Sequence, residues 1–220
     1  MNKHFIVFNL KSYKTYDEAK EWLSEIKNID KSLLEQKQIV ICPPFTLLSQ
    51  FKTFFQANNL NIKLGAQDVS PFDEGSYTGE VNAKQIKEFA TYVLIGHSER
   101  RSNFNETDQL LAQKVNLSLQ YGLHPIYLVQ DKDTVIPSGV KLIAYEPIFA
   151  IGSGNPDTPE NADEVARLIK QTGSYQVLYG GSVTSQNVKN FTAKPNINGV
   201  LVGGASLDAE EFIKIIKNAK

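Results

Sequence analysis

Gln176-Val177-Leu178-Tyr179-Gly180-Gly181-Ser182 is an apolar run that ends on two glycines and a serine. An amphipathic stretch at 184–191 follows it. Then comes a second run of the same kind, Gly199-Val200-Leu201-Val202-Gly203-Gly204, followed by another amphipathic stretch at 208–217. Each apolar run is short, β-branched or aromatic and closed by glycine, which predicts a buried strand. Each following stretch carries a helical period. Two strand–helix units in tandem imply parallel strands joined by right-handed crossovers.

The same alternation runs back to the start. Strands are expected at Phe5–Asn9, Gln38–Cys42, 61–66, Tyr92–Ile95, 125–129 and 140–145, and helices at 17–29, 45–57, 83–90, 107–121 and 160–172. That makes eight strands with one helix missing. Two architectures accommodate the pattern, an open doubly wound sheet and a closed eight-stranded barrel. No Pro/Ser-rich linker divides the 220 residues, so residues 1–220 are expected to form a single domain. A barrel of this kind typically takes about 250 residues. The shortfall lies between Val129 and Lys141, where Pro137 and Gly139 leave no room for two loops and a full helix. Parity on the strands around this gap turns Leu142, Ala144, Ile126 and Leu128 inward, and Ile143, Tyr145, Tyr127 and Val129 outward. Val135-Ile136-Pro137 is then the apolar segment expected to cover the outward wall.

Composition narrows the function. Basic and acidic side chains number 23 and 24, a net charge of −1, which argues against a nucleic-acid or anionic-membrane binder. Cys42 is the single cysteine, so neither an intramolecular disulfide nor a thiolate metal cage is available, and the three histidines form no ligand motif. The apolar run at the N-terminus is cut off by Asn9 and Lys11 and is too short for a signal peptide or a membrane span. A cytoplasmic protein without cofactor or metal is expected.

The polar residues cluster at the C-terminal ends of the expected strands. Asn9 and Lys11 follow the first, His97, Ser98 and Glu99 the fourth, Glu146 the sixth, Ser182 the seventh, Gly203 and Gly204 the eighth. In a barrel these ends share one mouth; in an open sheet they lie along an edge. Glu146 ends an apolar strand and is pinned by Pro147, and desolvation there makes a carboxylate a better base. The plainer reading is a solvated glutamate near a helix start. His97, after Gly96, suits an imidazole held neutral by backbone N–H groups, or simply a buried structural histidine. Lys11 is either a surface lysine or an ammonium that balances a phosphate. The paired glycines suit N–H groups that approach phosphate oxygens. The segment Pro147 to Gly154 is a candidate lid. Gly152-Ser153-Gly154 lacks the third glycine of a dinucleotide fingerprint and is followed by Pro156 and Pro159, so that reading fails.

Taken together, Asn9-Leu10-Lys11, Gly65-Ala66-Gln67-Asp68, Tyr77-Thr78-Gly79-Glu80, Ile95-Gly96-His97-Ser98-Glu99-Arg100-Arg101, Ala144-Tyr145-Glu146-Pro147, Ala150-Ile151-Gly152-Ser153-Gly154, Tyr179-Gly180-Gly181-Ser182-Val183 and Val202-Gly203-Gly204-Ala205-Ser206 resemble the triosephosphate isomerase family, in its order and nearly end to end. The resemblance implies a (β/α)8 TIM barrel that interconverts dihydroxyacetone phosphate and glyceraldehyde 3-phosphate. It implies Glu146 as base and neutral His97 as electrophile. Lys11 would balance charge, Asn9 position the substrate, and Glu99 contact Lys11 or relay charge. N–H groups of Gly152, Ser182, Gly203 and Gly204 would hold the phosphate. A homodimer is implied as well, with the loop around Thr78 inserted beside the partner's site. Three departures stand out: Leu128-Val129-Gln130-Asp131 in place of Cys-Ile-Gly-Glu, the absent fifth helix, and Asn155-Pro156-Asp157 where the lid usually ends in a Lys-Thr-Ala-like run. A lysine-dependent aldolase using Lys11 as a Schiff base, or a barrel kept without catalysis, are the rival readings.

Overall fold

A computed structural model describes residues 4–220. The strands are β1 (Phe5–Asn9), β2 (Gln38–Cys42), β3 (Lys63–Ala66), β4 (Tyr92–Ile95), β5 (His124–Val129), β6 (Leu142–Tyr145), β7 (Gln176–Tyr179) and β8 (Gly199–Val202). Each pairs in parallel with its sequence neighbours, and β8 returns to β1, so the sheet closes into a barrel. The seam needs a glycine. A Cβ on Gly199 would sit 1.9 Å from the carbonyl oxygen of Phe5, the residue it pairs with.

The helices are α1 (Tyr16–Ile26), α2 (Lys31–Glu35), α3 (Leu48–Ala57), α4 (Ala83–Lys87), α5 (Ser98–Asn103), α6 (Asp108–Gln120), α7 (Pro159–Gln171), α8 (Val188–Thr192) and α9 (Ala209–Asn218). Local chemistry explains where they start. Thr15, Thr107, Thr158 and Asp208 each accept a backbone N–H of the first turn, and Pro159 occupies the first position of α7, where its missing N–H costs nothing. Two expectations are corrected. The helix expected over 17–29 stops at Ile26, and α2 begins afresh because Asp30 accepts from Ser32 N–H. The helix expected from 184 begins at Val188, because the Asn187 side chain bonds Thr184 N–H and the Ser182 carbonyl and competes with helical pairing.

Strand parity sorts the core as expected. Val7, Val40, Leu94, Ile126, Leu128, Leu142, Ala144, Leu178 and Leu201 fill the barrel. Tyr127, Val129, Ile143, Tyr145 and Tyr179 face the helix layer and are buried there. No helix lies between β5 and β6. The cover over that gap corrects the expectation in part. Ile136 packs on the core, and Val140 is buried, but Val135 is 65% exposed. The rest comes from further away. Leu119 of α6 lies over Gly139, where a Cβ would meet its Cδ1 at 2.6 Å. The Arg101 guanidinium sits 5.7 Å from the Tyr127 ring and donates to its hydroxyl. Among the described residues no helix is long and apolar enough to cross a membrane.

Candidate active site

The C-terminal strand ends share one mouth, over a cavity of about 380 Å³. Lys11, His97, Glu146, Gly152, Ser182, Gly203 and Gly204 all line it, on segments that follow five different strands. Strands joined in a closed ring make this convergence unavoidable; along an open edge it would not occur.

Glu146 is 3% exposed and follows β6 directly. Burial pushes its carboxyl up to about 8, against the opposing pull of Lys11 and of the Ser98 backbone N–H. Its Oε2 has no hydrogen-bond partner among the described residues. Gly180 makes room for it: a Cβ there would lie 2.8 Å from Glu146 Cγ.

His97 precedes α5 and caps it, its Nδ1 accepting the Glu99 backbone N–H at 3.2 Å. An Nδ1 used as acceptor puts the proton of the neutral ring on Nε2. Burial pushes the imidazole down to about 4; Glu99 opposes this, while Lys11 and Arg100 add to it. The ring is therefore neutral near pH 7, and its Nε2 lies 3.5 Å from Glu146 Oε1.

Lys11 stands on a left-handed backbone, φ 51°, unusual for a residue with a side chain. Three contacts hold it there. Asn9 Oδ1 accepts the Lys11 N–H at 2.9 Å, Gln67 Nε2 donates to the Lys11 carbonyl at 2.8 Å, and Lys11 Nζ pairs with Glu99 at 2.5 Å. Asn9 is buried, and its side chain supports the Lys11 backbone through that bond. Glu99 is partly exposed beside Lys11. Ser182 is also left-handed, φ 49°, and its hydroxyl donates to the Ala150 carbonyl. Thr78 sits in an exposed loop and meets none of these residues within one chain.

Four residues take parts that the sequence did not assign to them. Gln67 ends β3 in the same way that Glu146 ends β6, and the strand-end rule applied to β3 would have found it. Gly180 yields only to geometry. Asp157 and Tyr179 meet across 22 residues, where no local pattern joins them.

These features define a class: a closed (β/α)8 barrel carrying a carboxyl, an imidazole and an ammonium at its C-terminal mouth beside glycine-rich turns. Comparison with known proteins narrows it. A family model described as triosephosphate isomerase matches residues 4–219. Proteins named triosephosphate isomerase from Dictyoglomus turgidum and Aquifex aeolicus are 39% and 38% identical, aligned over 99% and 97% of this chain and 100% and 98% of their own length. One from Carboxydothermus hydrogenoformans is 36% identical over the full length of both. The chain belongs to the triosephosphate isomerase family.

Proposed function

We propose that this chain interconverts dihydroxyacetone phosphate and D-glyceraldehyde 3-phosphate through an enediolate, the step its family supplies to glycolysis and gluconeogenesis. The observation that carries the mechanism is the facing pair His97 and Glu146 in the lining of the cavity. Glu146, ionised, takes a proton from the carbon beside the carbonyl and returns it to the neighbouring carbon. His97, neutral, polarises the carbonyl with a hydrogen bond from Nε2 and moves a proton from the neighbouring hydroxyl to the carbonyl oxygen, regaining from one oxygen the proton it gives to the other. Lys11 balances the phosphate and the developing enediolate, Glu99 contacts Lys11 or relays charge, and Asn9 helps to position the substrate. The N–H groups of Gly152, Ser182, Gly203 and Gly204 receive the phosphate; Gly203 and Gly204 open a helical turn whose first N–H groups have no internal partner. Residues 150–154 close over the intermediate and exclude water.

A coupled assay with glyceraldehyde 3-phosphate tests this, and absence of turnover defeats it. The aldolase alternative is disfavoured by the Lys11–Glu99 ion pair, because a charged ammonium has no lone pair for Schiff-base attack. Borohydride in the presence of substrate would trap an adduct if that alternative held.

The reading extends to a homodimer and a single domain. The exposed loop carrying Thr78 is pinched at its base by Ser70 N–H donating to the Val81 carbonyl. Phe72 and Tyr77 stack on it at 4.3 Å and stay 44% exposed. Tyr13, Tyr16 and Phe45 are also exposed. Apolar surface of this kind favours a partner, and a second copy would bring Thr78 toward Asn9 and Glu99. Sedimentation that finds a fully active monomer at low concentration would refute the dimer. A ring that closes β8 onto β1 supports one domain over residues 1–220. A lone buried thiol at Cys42 fits the cytoplasm, and none of the proposed steps calls for a metal or cofactor.

A further inference from the structure

The lid is held at both ends. At its entry, Ala150 is buried and its carbonyl accepts from Ser182. At its exit, Asp157 is buried, and its backbone N–H donates to the Tyr179 hydroxyl at 2.7 Å. Between them, residues 152–156 are exposed. The exit carries a carboxyl group. Asp157 Oδ1 accepts Thr158 N–H at 2.7 Å, and Oδ2 accepts Asn161 Nδ2 at 2.7 Å, which fastens the side chain to the start of α7. Oδ2 also faces the Tyr145 hydroxyl at 3.4 Å.

Tyr145 and Tyr179 are paired across β6 and β7, their rings 6.3 Å apart. Tyr179 is itself fixed by stacking on Phe191 at 4.0 Å. Tyr145 immediately precedes Glu146, and Tyr179 immediately precedes Gly180, which clears the space for Glu146. Each strand end therefore presents two things at once. Its inward residue forms the base or its clearance, and its outward hydroxyl grips the lid exit.

We propose that Asp157 is a positioning residue: its carboxylate couples the lid exit and α7 to Tyr145, so that closure of residues 151–156 and placement of Glu146 are set together. This rests on the isomerase reading and deepens it. The Tyr145 contact is long for an O–H···O bond, so the coupling requires it to shorten as the lid closes. Pro156 stiffens the same corner, since its φ is fixed near −65° and it restricts Asn155 before it.

The readout is the fate of the enediolate. Held under a closed lid it is reprotonated. Released early, it breaks its C–O bond to phosphate, expels inorganic phosphate and tautomerises to methylglyoxal. The experiment measures kcat, KM and the fraction of turnovers ending in methylglyoxal plus phosphate, for wild type, Asp157→Ala, Asp157→Asn, Tyr145→Phe and the Asp157→Ala/Tyr145→Phe pair. We expect kcat to fall about tenfold in Asp157→Ala and the eliminated fraction to rise by a similar factor. Tyr145→Phe should move both in the same direction, the double variant should be no worse than the worse single, and Asp157→Asn, which keeps an acceptor oxygen, should recover most of the loss. A folded Asp157→Ala with wild-type kcat and eliminated fraction overturns the proposal. So does a lower kcat with an unchanged fraction, which is what a merely structural residue gives. An unchanged fraction in Tyr145→Phe, which removes one oxygen and carries the test if Asp157→Ala does not fold, overturns it too. A wild type without isomerase activity overturns the function reading and this proposal with it, and is distinguishable because it precedes every variant.

Discussion

His97 Nε2 and Glu146 Oε1 face each other at 3.5 Å from β4 and β6, strands that are not neighbours in the barrel. The Glu99 N–H on Nδ1 directs the ring's proton at that gap. An acid and a base are thus aimed at one small volume, with burial setting the charge state of both.

Glu146→Asp withdraws the carboxylate by one methylene and keeps its charge. A displacement on the order of 1 Å costs about a hundredfold in rate, so kcat should fall by about that factor with KM nearly unchanged. His97→Ala should lose activity on the same scale. Steady-state kinetics that find either variant near wild type would remove that residue from the mechanism.

The acid–base pair also predicts how stability and rate depend on pH. Glu146 is raised from 4.5 to about 8, so between those values the folded state keeps a proton that the unfolded chain has released, and rising pH weakens the fold. His97 is lowered from 6.5 to about 4, so over that window rising pH strengthens it. The two oppose each other below 6.5, and from 6.5 to 8 Glu146 acts alone. Denaturant unfolding should show Glu146→Gln gaining on wild type by about 2 kcal/mol across that last interval. A difference that stays flat between the two proteins contradicts it. In wild type, kcat/KM should rise with pH through about 8 as the base loses its proton.

Gly180→Ala places a methyl group 2.8 Å from Glu146 Cγ. The side chain must move, and it is the base that moves. Activity should drop by about a hundredfold while the thermal midpoint changes little. Full activity would mean that the base tolerates displacement, and the clearance argument fails.

The wall between β5 and β6 can be tested by paired truncations. Ile136 is partly buried on the core, so Ile136→Ala should cost about 1–2 kcal/mol of unfolding free energy. Val135 is exposed, and Val135→Ala should stay within about 0.5 kcal/mol of wild type. Equal losses at the two positions would show that the segment packs otherwise.

Local chemistry in the chain determined most of the elements and their faces. Period-two burial on β5 and β6 assigns Ile126 and Ala144 to the interior and Tyr127 and Tyr145 to the outside, because successive side chains on a strand must alternate. Caps such as Thr107 and Thr158 set helix starts for an equally local reason. The strand-end motifs carried the family and the candidate residues. What those residues touch was decided only by closure of the barrel. The Lys11–Glu99 pair spans 88 residues, and Gln67 reaches Lys11 across 56. Arg101 covers Tyr127 where a helix is absent, displacing the role expected of Val135, and Asp157 finds two tyrosines on separate strands. Contacts at such separations have no periodic signature, because nothing along the chain constrains them until β8 has paired with β1.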